Sequence, residues 1–275
     1  MPITERFIIR PGQKLELDSI DPGYHAEHKN KSSAKNEIHA YALRLRELQY
    51  LLYAENRRGL LICLQALDTG GKDGTIRHVL GYMNPLGCRV KSFKQPNTEE
   101  AAHDFLWRIH KETPSRGEVA IFNRSHYEDV LITRVHGLIS EPQCKERYTA
   151  INAFEKHLTE NSVHIIKFYL HISKDEQLKR LNKRLDDPTR HWKISEADYT
   201  ERSHWDEYRH AYEDMLTHCS TEWAPWFVIP ANHKWFRNLV ISRIVVEYLE
   251  QLNMKFPEPK VEIAEIRRKF YKSEH

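Results

Sequence analysis

Short apolar runs alternate along the chain with longer stretches in which apolar residues recur every three or four positions. The first run, residues 60–67, is bounded by Gly59 and by the pair Gly70-Gly71, as expected for a strand buried on both faces. Similar runs predict four more strands, over residues 89–93, 118–122, 163–172 and 226–229. Helical spacing is found over about 33–52, 74–83, 98–111, 141–160, 174–186, 196–217 and 235–251. The alternation predicts a three-layer α/β fold, with a mostly parallel central sheet flanked by helices.

The two ends of the chain differ from this regular middle part. Residues 1–32 are predicted to form an irregular N-terminal arm, because prolines and glycines interrupt any regular period. Residues 33–255 are predicted to form one domain, followed by a C-terminal tail over 256–275. A chain of 275 residues, 40% of them hydrophobic, contains enough apolar material for one substantial core.

Charge and apolar content argue against several classes of function. Lysine and arginine number 42 against 39 aspartate and glutamate residues, so no whole-molecule field favours nucleic acid or a membrane surface. Every apolar run is far shorter than the roughly 20 residues that span a bilayer, and the N-terminus lacks an uninterrupted apolar signal core. The four cysteines lack CxxC spacing, which favours buried, reduced thiols. We therefore expect a cytoplasmic protein with no nucleic-acid or membrane partner.

The segment after the first predicted strand, residues 68–75, has the composition of a phosphate-binding loop and is called the glycine loop below. It reads Asp68-Thr69-Gly70-Gly71-Lys72-Asp73-Gly74-Thr75 and leads into a helical stretch. Glycines let backbone N–H groups face an anion, the helix N-terminus adds positive potential, and a lysine supplies a mobile cation. The spacing departs from GxxxxGK(S/T), because Ala66 replaces the first glycine and Asp73 replaces the hydroxyl residue. An ordinary glycine turn is the alternative interpretation.

A second polar cluster follows the predicted strand 118–122 and supplies groups of both signs. It contains Asn123 and Arg124, and then Asp129 and Arg134. Asp129 is a candidate Mg²⁺ ligand, and the two arginines are candidates for neutralising charge on a transferring phosphoryl group. A solvated turn with ion pairs is the alternative.

Asp68 requires its own explanation, because a carboxylate beside bound phosphate is repulsive unless a metal ion or a proton lies between them. It is a candidate Mg²⁺ ligand or a group that orients the acceptor. Asp68 and Asp129 follow two different predicted strands at one edge of the sheet, where ligands bind in such folds. The sequence therefore predicts a metal site that the two carboxylates share.

A basic stretch over residues 179–193 begins within the helix that follows the fourth predicted strand. It includes Lys183 and Arg184, and Pro188 ends the helix before Arg190 and Lys193. A mobile basic loop beside a phosphate site is typical of a lid, which is expected over about 174–217. A solvated helix face is the alternative interpretation of such a run of charge.

Four segments together resemble the polyphosphate kinase 2 family. They are LQALDTGGKDGTIRHV, GEVAIFNRSHYEDVLITRVH, FYLHISKDEQLKRLNKRLDDPTRHWK and EWAPWFVIPANHKWFRN, and they fall within about residues 60–250. The resemblance implies a P-loop kinase fold similar to thymidylate kinase, with residues 33–255 as catalytic domain and a helical lid. It implies reversible transfer of phosphate between polyphosphate and nucleotides such as AMP, ADP and GDP. It also implies dependence on Mg²⁺, which Mn²⁺ can replace, and a homo-oligomer, either a dimer or a tetramer.

The same resemblance implies roles for individual residues. Lys72 would bind phosphate, Asp68 would hold the metal or orient the accepting phosphate, and Asp129 would organise Mg²⁺. Residues expected to contact phosphate or nucleotide are Thr69, Gly70, Gly71, Asp73, Gly74, Thr75, Arg77, Asn123, Arg124, Arg134, Lys183, Arg184, Arg190 and Lys193, of which Arg184 and Lys193 would close from the lid. The GKDG form of the loop is most similar to the family's class III members, which are associated with phosphorylating both nucleoside mono- and diphosphates.

Two other functions stay open on the residues alone. An ATP-dependent nucleotide kinase could use the same fold, since fold does not choose the phosphate donor. An inorganic chain needs an open basic groove, whereas ATP needs a pocket for its base. A non-catalytic sensor of polyphosphate or nucleotide is the second alternative, although a pure binder has no need for converging metal carboxylates.

Overall fold

A computed structural model describes residues 4–26 and 28–272 of the chain. Its six-stranded sheet consists of β1 (Ile8–Ile9), β2 (Gly59–Gln65), β3 (Cys88–Ser92), β4 (Val119–Asn123), β5 (Val163–His171) and β6 (Trp226–Pro230). The strand order is β1-β6-β5-β2-β4-β3, and every neighbouring pair is parallel except β1 with β6. The predicted α/β class with a mostly parallel sheet is therefore confirmed.

Helices connect the strands and cover the sheet. Within the described residues they are α1 (Lys31–Glu55), α2 (Lys72–His78), α3 (Thr98–Ala101), α4 (Trp107–His110), α5 (Glu128–Val135), α6 (Glu141–Glu160), α7 (Lys174–Leu185), α8 (Glu196–Ser203), α9 (Trp205–Cys219), α10 (Lys234–Gln251) and α11 (Ile263–Lys272). Short 3₁₀ turns occupy Thr4–Arg6, Leu17–Ser19, Leu80–Tyr82, Pro85–Gly87 and Pro188–Lys193.

The core lies on both faces of the sheet. All seven residues of β2 are buried, as the run of apolar residues predicts for a central strand. On one face Ile62 packs in a cluster with residues of α1 and α10, such as Leu45 and Ile244. On the other face Tyr169 packs with residues of α5, α6 and α9, such as Met215. Burial of one such side chain stabilises the fold by about 1.5–3 kcal/mol, which explains why helices must cover both faces.

Several helix boundaries differ from the sequence prediction for local reasons. The first helix begins at Lys31 rather than Ser33, because the Asn30 side chain caps it by accepting a hydrogen bond from the Ser33 N–H at 3.1 Å. The helix predicted over 98–111 is two short helices. The Asp104 carboxylate, which accepts from the Leu106 N–H at 2.9 Å, turns the chain between them. The stretch 196–217 is likewise divided, into α8 and α9.

The predicted arm and tail both contain regular structure. Residues 8 and 9 pair antiparallel with β6, through Ile8 opposite Phe227 and Ile9 opposite Trp226. Phe7 is buried in the same region, so this part of the arm belongs to the core. In the tail, α11 covers Ile263–Lys272. No helix among the described residues is long and apolar enough to cross a bilayer.

One edge of the sheet collects the ends of the parallel strands. Leu64 of β2 is in register with Asn123 of β4 and with Phe168 of β5. The glycine loop therefore begins beside the turn that follows β4 and beside the chain that enters α7. This is the edge at which the sequence predicts the site.

Candidate active site

The glycine loop forms a tight turn between β2 and α2. Gly70 donates its N–H to the Leu67 carbonyl at 2.9 Å, and Gly71 caps α2 with a φ of 111°. A Cβ atom at Gly70 would lie 2.5 Å from the Ala66 Cβ, and one at Gly71 would lie 1.9 Å from Nη1 of Arg237. Both positions therefore require glycine, through close approach at the first and through backbone conformation as well at the second.

Lys72 lies buried at the start of α2. Its Nζ donates a hydrogen bond to the Ala66 carbonyl at 2.8 Å, so the ammonium group curls back over the loop. Burial lowers the pKa of Lys72, and the Arg124 charge lowers it further against the opposing effect of Asp68. The Lys72 ammonium group thus lies near one negative charge, Asp68, and one positive charge, Arg124. It is placed to bind an anion at the glycine loop.

Asp68 and Arg124 connect the loop to the turn after β4. The Asp68 Oδ1 accepts a hydrogen bond from Arg124 Nη2 at 2.8 Å. Burial acts to raise the pKa of Asp68, but the charges of Lys72 and Arg124 outweigh it and hold the pKa below its ordinary value. Asp68 is therefore ionised at neutral pH, beside two cations that the sequence assigned to the same site.

A cavity of ≈ 310 Å³ opens beside this ion pair. Its lining includes charged residues, Asp68, Arg124, Glu128 and Glu201, and aromatic residues, Trp205, Tyr208 and Tyr212. The charged residues suit phosphate or metal, and the aromatic residues suit a flat apolar group.

Glu128 is a site residue that the sequence reading did not select. It is the first residue of α5, and its Oε1 accepts a hydrogen bond from the Gln65 Nε2 at 3.0 Å. The signal that could have identified it is its position at the start of a helix after a buried strand. The sequence prediction contains no helix there, because it interprets the segment as a polar cluster after a strand.

Asp129 is not among the residues that line the cavity. Its carboxylate lies 3.6 Å from Arg108 Nη2 and 3.9 Å from Arg147 Nη1. Burial raises the pKa of Asp129, although both arginines oppose the change. Consecutive residues of a helix differ by about 100° in direction, which brings Glu128 to the cavity and turns Asp129 toward α4 and α6. Glu128, rather than the predicted Asp129, therefore lines the cavity together with Asp68.

Arg134 is also held away from the cavity. It donates to both carboxylate oxygens of Glu141, at 2.7 and 3.0 Å, and to Oδ2 of Asp214 at 2.7 Å. These charge-assisted bonds tie α5 to α6 and α9. The contacts support a structural role for Arg134, whereas the sequence predicted a contact with phosphate.

The segment predicted to form a lid contacts the glycine loop through Lys193. Lys193 Nζ lies 3.1 Å from Oδ2 of Asp73, and Asn123 Nδ2 donates to Oδ1 of Asp73 at 2.9 Å. Burial acts to raise the pKa of Asp73, but the hydrogen bonds from Asn123 and Lys193 outweigh it. The pKa of Asp73 therefore lies below its ordinary value. Arg184 contributes to the low pKa of Asp68, which indicates that its charge acts at the site.

Other predicted residues differ in exposure and contacts. Lys183, Arg190 and Arg77 are exposed, the last of these in the final turn of α2. The hydroxyl groups of Thr69 and Thr75 are buried and have no hydrogen-bond partner among the described residues.

Two side chains of α7 hold the loop in place without having been predicted to do so. Arg180 Nη1 donates to the carbonyls of Thr69 and Gly70, both at 3.0 Å. Gln177 Nε2 donates to the Asp68 carbonyl at 3.2 Å. Helix α7, the first part of the predicted lid, is therefore hydrogen-bonded to the backbone of the glycine loop.

The chain is similar to known proteins over most of its length. A family model described as polyphosphate kinase 2 matches residues 28–257. An AMP/ADP-polyphosphate phosphotransferase of Meiothermus ruber is 47% identical over 93% of this chain and 96% of that protein. An ADP-polyphosphate phosphotransferase of Rhodopseudomonas palustris is 42% identical over 93% and 92% of the two chains. The crystal structure of polyphosphate kinase 2 from Arthrobacter aurescens superimposes with a TM-score of 0.92 at 44% identity, covering 96% of this chain and 95% of that one.

Proposed function

The chain belongs to the polyphosphate kinase 2 family, and from this premise we propose that it transfers phosphate reversibly between inorganic polyphosphate and nucleoside mono- and diphosphates. The observation that carries the proposal is the convergence of Asp68 and Arg124 at one cavity on the carboxyl edge of the sheet, with Lys72 close enough that its charge lowers the pKa of Asp68. Phosphoryl transfer needs little covalent chemistry from the protein, because positioning and charge stabilisation supply most of the catalysis. A buried lysine and a fixed arginine beside a cavity provide these two effects.

The lining of the cavity supports a nucleotide as acceptor. Its aromatic residues Trp205, Tyr208 and Tyr212 suit a base, and Arg124 suits the phosphates. The relatives from Meiothermus ruber and Rhodopseudomonas palustris are named for AMP/ADP and ADP, and a relative from Pseudomonas aeruginosa is named for GDP. We expect AMP and ADP as acceptors and guanine nucleotides as further candidates.

A phosphotransfer assay tests the function. AMP, ADP, GMP and GDP are incubated separately with long-chain polyphosphate and Mg²⁺, and ³¹P NMR resolves the products. New β- or γ-phosphate signals with polyphosphate as donor support the proposal. Transfer from ATP but not from polyphosphate would favour an ordinary nucleotide kinase, and tight binding without transfer would favour a sensor.

We further propose that Mg²⁺ acts at this site, with Mn²⁺ able to replace it. Mg²⁺ is commonly held by one or two carboxylates, with phosphate and water oxygens completing its shell. Asp68 and Glu128 both line the cavity and meet this requirement. Bound Mg²⁺ would offset the negative charge that phosphate brings to these carboxylates. The protein's own part is to hold the two carboxylates in place, through Arg124 and Gln65 respectively.

Substitution of Glu128 and of Asp129 shows which of these two adjacent carboxylates binds the metal. Glu128→Gln should raise the Mg²⁺ concentration for half-maximal activity about tenfold, because it removes a charged ligand. Asp129→Asn should leave that concentration nearly unchanged and instead lower the melting temperature, since Arg108 and Arg147 lose their carboxylate partner. Mg²⁺ titrations of both variants provide the measurement, with excess EDTA expected to abolish wild-type activity. The opposite ranking of the two variants would return the metal to Asp129, as the sequence predicts.

Salt should affect the two substrates unequally. Polyphosphate offers closely spaced charge and no base, so its KM should rise more steeply with salt than the KM for ADP. Arg184→Ala and Lys193→Ala should flatten the dependence for polyphosphate, because each removes a cation of the lid. Lys156→Ala, on the exposed face of α6, is the control. Parallel rises of both KM values, unaffected by the lid substitutions, would show that the basic stretch is only a solvated helix face.

Two properties of the whole molecule are part of the proposal. We expect a homo-oligomer, measurable by sedimentation equilibrium, and a cytoplasmic location, measurable by cell fractionation.

A further inference from the structure

Arg237 is a buried cation with no role in the site described above. It lies in the first turn of α10, and only 1% of it is exposed. Its Nε and Nη2 donate to Oδ1 of the neighbouring Asn238, at 3.1 and 2.8 Å. Its Nη1 has no hydrogen-bond partner among the described residues. A buried donor without a partner is costly, and the cost is greater for a charged group.

The unpaired nitrogen lies against the glycine loop. A Cβ atom built on Gly71 would be 1.9 Å from Arg237 Nη1, and one built on Gly74 would be 3.1 Å from Nη2. The guanidinium group thus occupies space that side chains at these two positions would fill. Two glycines of the loop therefore admit the cation as well as shaping the turn.

The surroundings of Arg237 are positive. Burial and the charge of Arg180 lower the pKa of Arg237 to about 9, so the group still carries its proton at neutral pH. Lys234 lies in the same field, because after burial the charges of Arg180 and Arg237 lower its pKa. Arg180 is already satisfied by loop carbonyls and Glu176, which leaves Arg237 as the cation with an unused donor.

We propose that Arg237 is a positioning residue whose charge supports phosphate binding at the glycine loop and is neutralised only when a phosphate chain occupies that loop. The inference rests on the proposed function, which supplies a polyanion to these residues. The negative charge of a bound polyanion would compensate the buried positive charge of Arg237, which has no such partner in the unbound protein. Arg237 acts through its charge, which lies next to Gly71 and Gly74 of the loop.

Binding of tripolyphosphate to the full chain tests this role. Arg237→Met keeps the length of the side chain and removes its charge. It should weaken binding about tenfold or more in calorimetry, as expected for loss of a buried charged interaction. The melting temperature without ligand should stay the same or rise, because an unpaired buried charge is gone. Arg237→Lys should keep most of the affinity, since it keeps the charge.

Arg243→Met is the matched control on the same helix. Arg243 Nε already donates to Oε1 of Glu247 at 2.6 Å, so its removal should leave tripolyphosphate affinity unchanged. In the transfer assay, Arg237→Met should raise the KM for polyphosphate and leave the KM for ADP within about twofold.

Distinct results would overturn the inference. Wild-type affinity in Arg237→Met, together with a lower melting temperature, would show that the residue only stabilises the fold, and the proposed function would stand. If Arg237→Met does not fold, a tenfold loss of affinity in a folded Arg237→Lys would show that charge is not what matters. Failure of the wild-type protein itself to bind tripolyphosphate would overturn both this inference and the proposed function.

Discussion

Lys72→Met is expected to lower kcat about 100-fold or more, because a preorganised charge at a reacting centre is typically worth 10²- to 10³-fold. The substitution keeps the length and apolar stem of the side chain, and removes only the ammonium group that curls over the glycine loop. The fold should survive, since burial already disfavours the charged form of Lys72. Initial rates of ADP phosphorylation at saturating polyphosphate and Mg²⁺ measure the effect.

Lys156→Met provides the comparison for this experiment. Lys156 lies on the exposed side of α6, with its Nζ 3.9 Å from Oε1 of Glu160, and its charge is remote from the loop in sequence. It should keep wild-type kcat. Near-normal turnover in a folded Lys72→Met would remove Lys72 from the mechanism.

The strands and the glycine loop could be predicted from sequence because their signals are local. The apolar run before Asp68 identifies β2, and the glycines after it identify a turn. The direction in which a single side chain points at the start of a short helix is harder to predict from sequence. Glu128 and Asp129 are chemically alike and adjacent, so only knowledge that α5 begins at Glu128 decides which of them reaches the cavity.

Contacts between segments that are distant in sequence account for the other differences between the predicted site and the observed one. Arg180 and Arg237 lie beside the loop although more than a hundred residues of sequence separate them from it. In the sequence the first belongs to a charged run and the second to a helix, and neither pattern reveals a buried guanidinium group. Arg134 shows the reverse error, because proximity in sequence to Arg124 suggested a shared site. Its bonds to Glu141 and Asp214 instead join three helices.

A buried ionic network supports the segment that carries Arg124 and Glu128. Lys167 of β5 is fully buried, and its Nζ lies 2.6 Å from Oε2 of Glu155 and 2.8 Å from the Tyr127 hydroxyl. The same ammonium group donates to the Cys219 carbonyl at 2.7 Å. Burial would raise the pKa of Glu155, but the charge of Lys167 and the contact with His126 hold it low. The network therefore fixes His126 and Tyr127, which lie between the two site residues in sequence.

Lys167→Met is accordingly expected to lower the free energy of unfolding by about 3–5 kcal/mol, because removing one partner leaves the carboxylate of Glu155 buried and uncompensated. Urea unfolding monitored by circular dichroism measures the change, provided that the variant and the wild type have the same m-value. The double variant Lys167→Met/Glu155→Leu should recover much of the loss, since both charges are then absent. Lys156→Met, which breaks only the exposed pair with Glu160, should cost less than about 1 kcal/mol. A loss below about 1 kcal/mol for Lys167→Met, or no recovery in the double variant, would show that the network does not hold the turn after β4 through its charges.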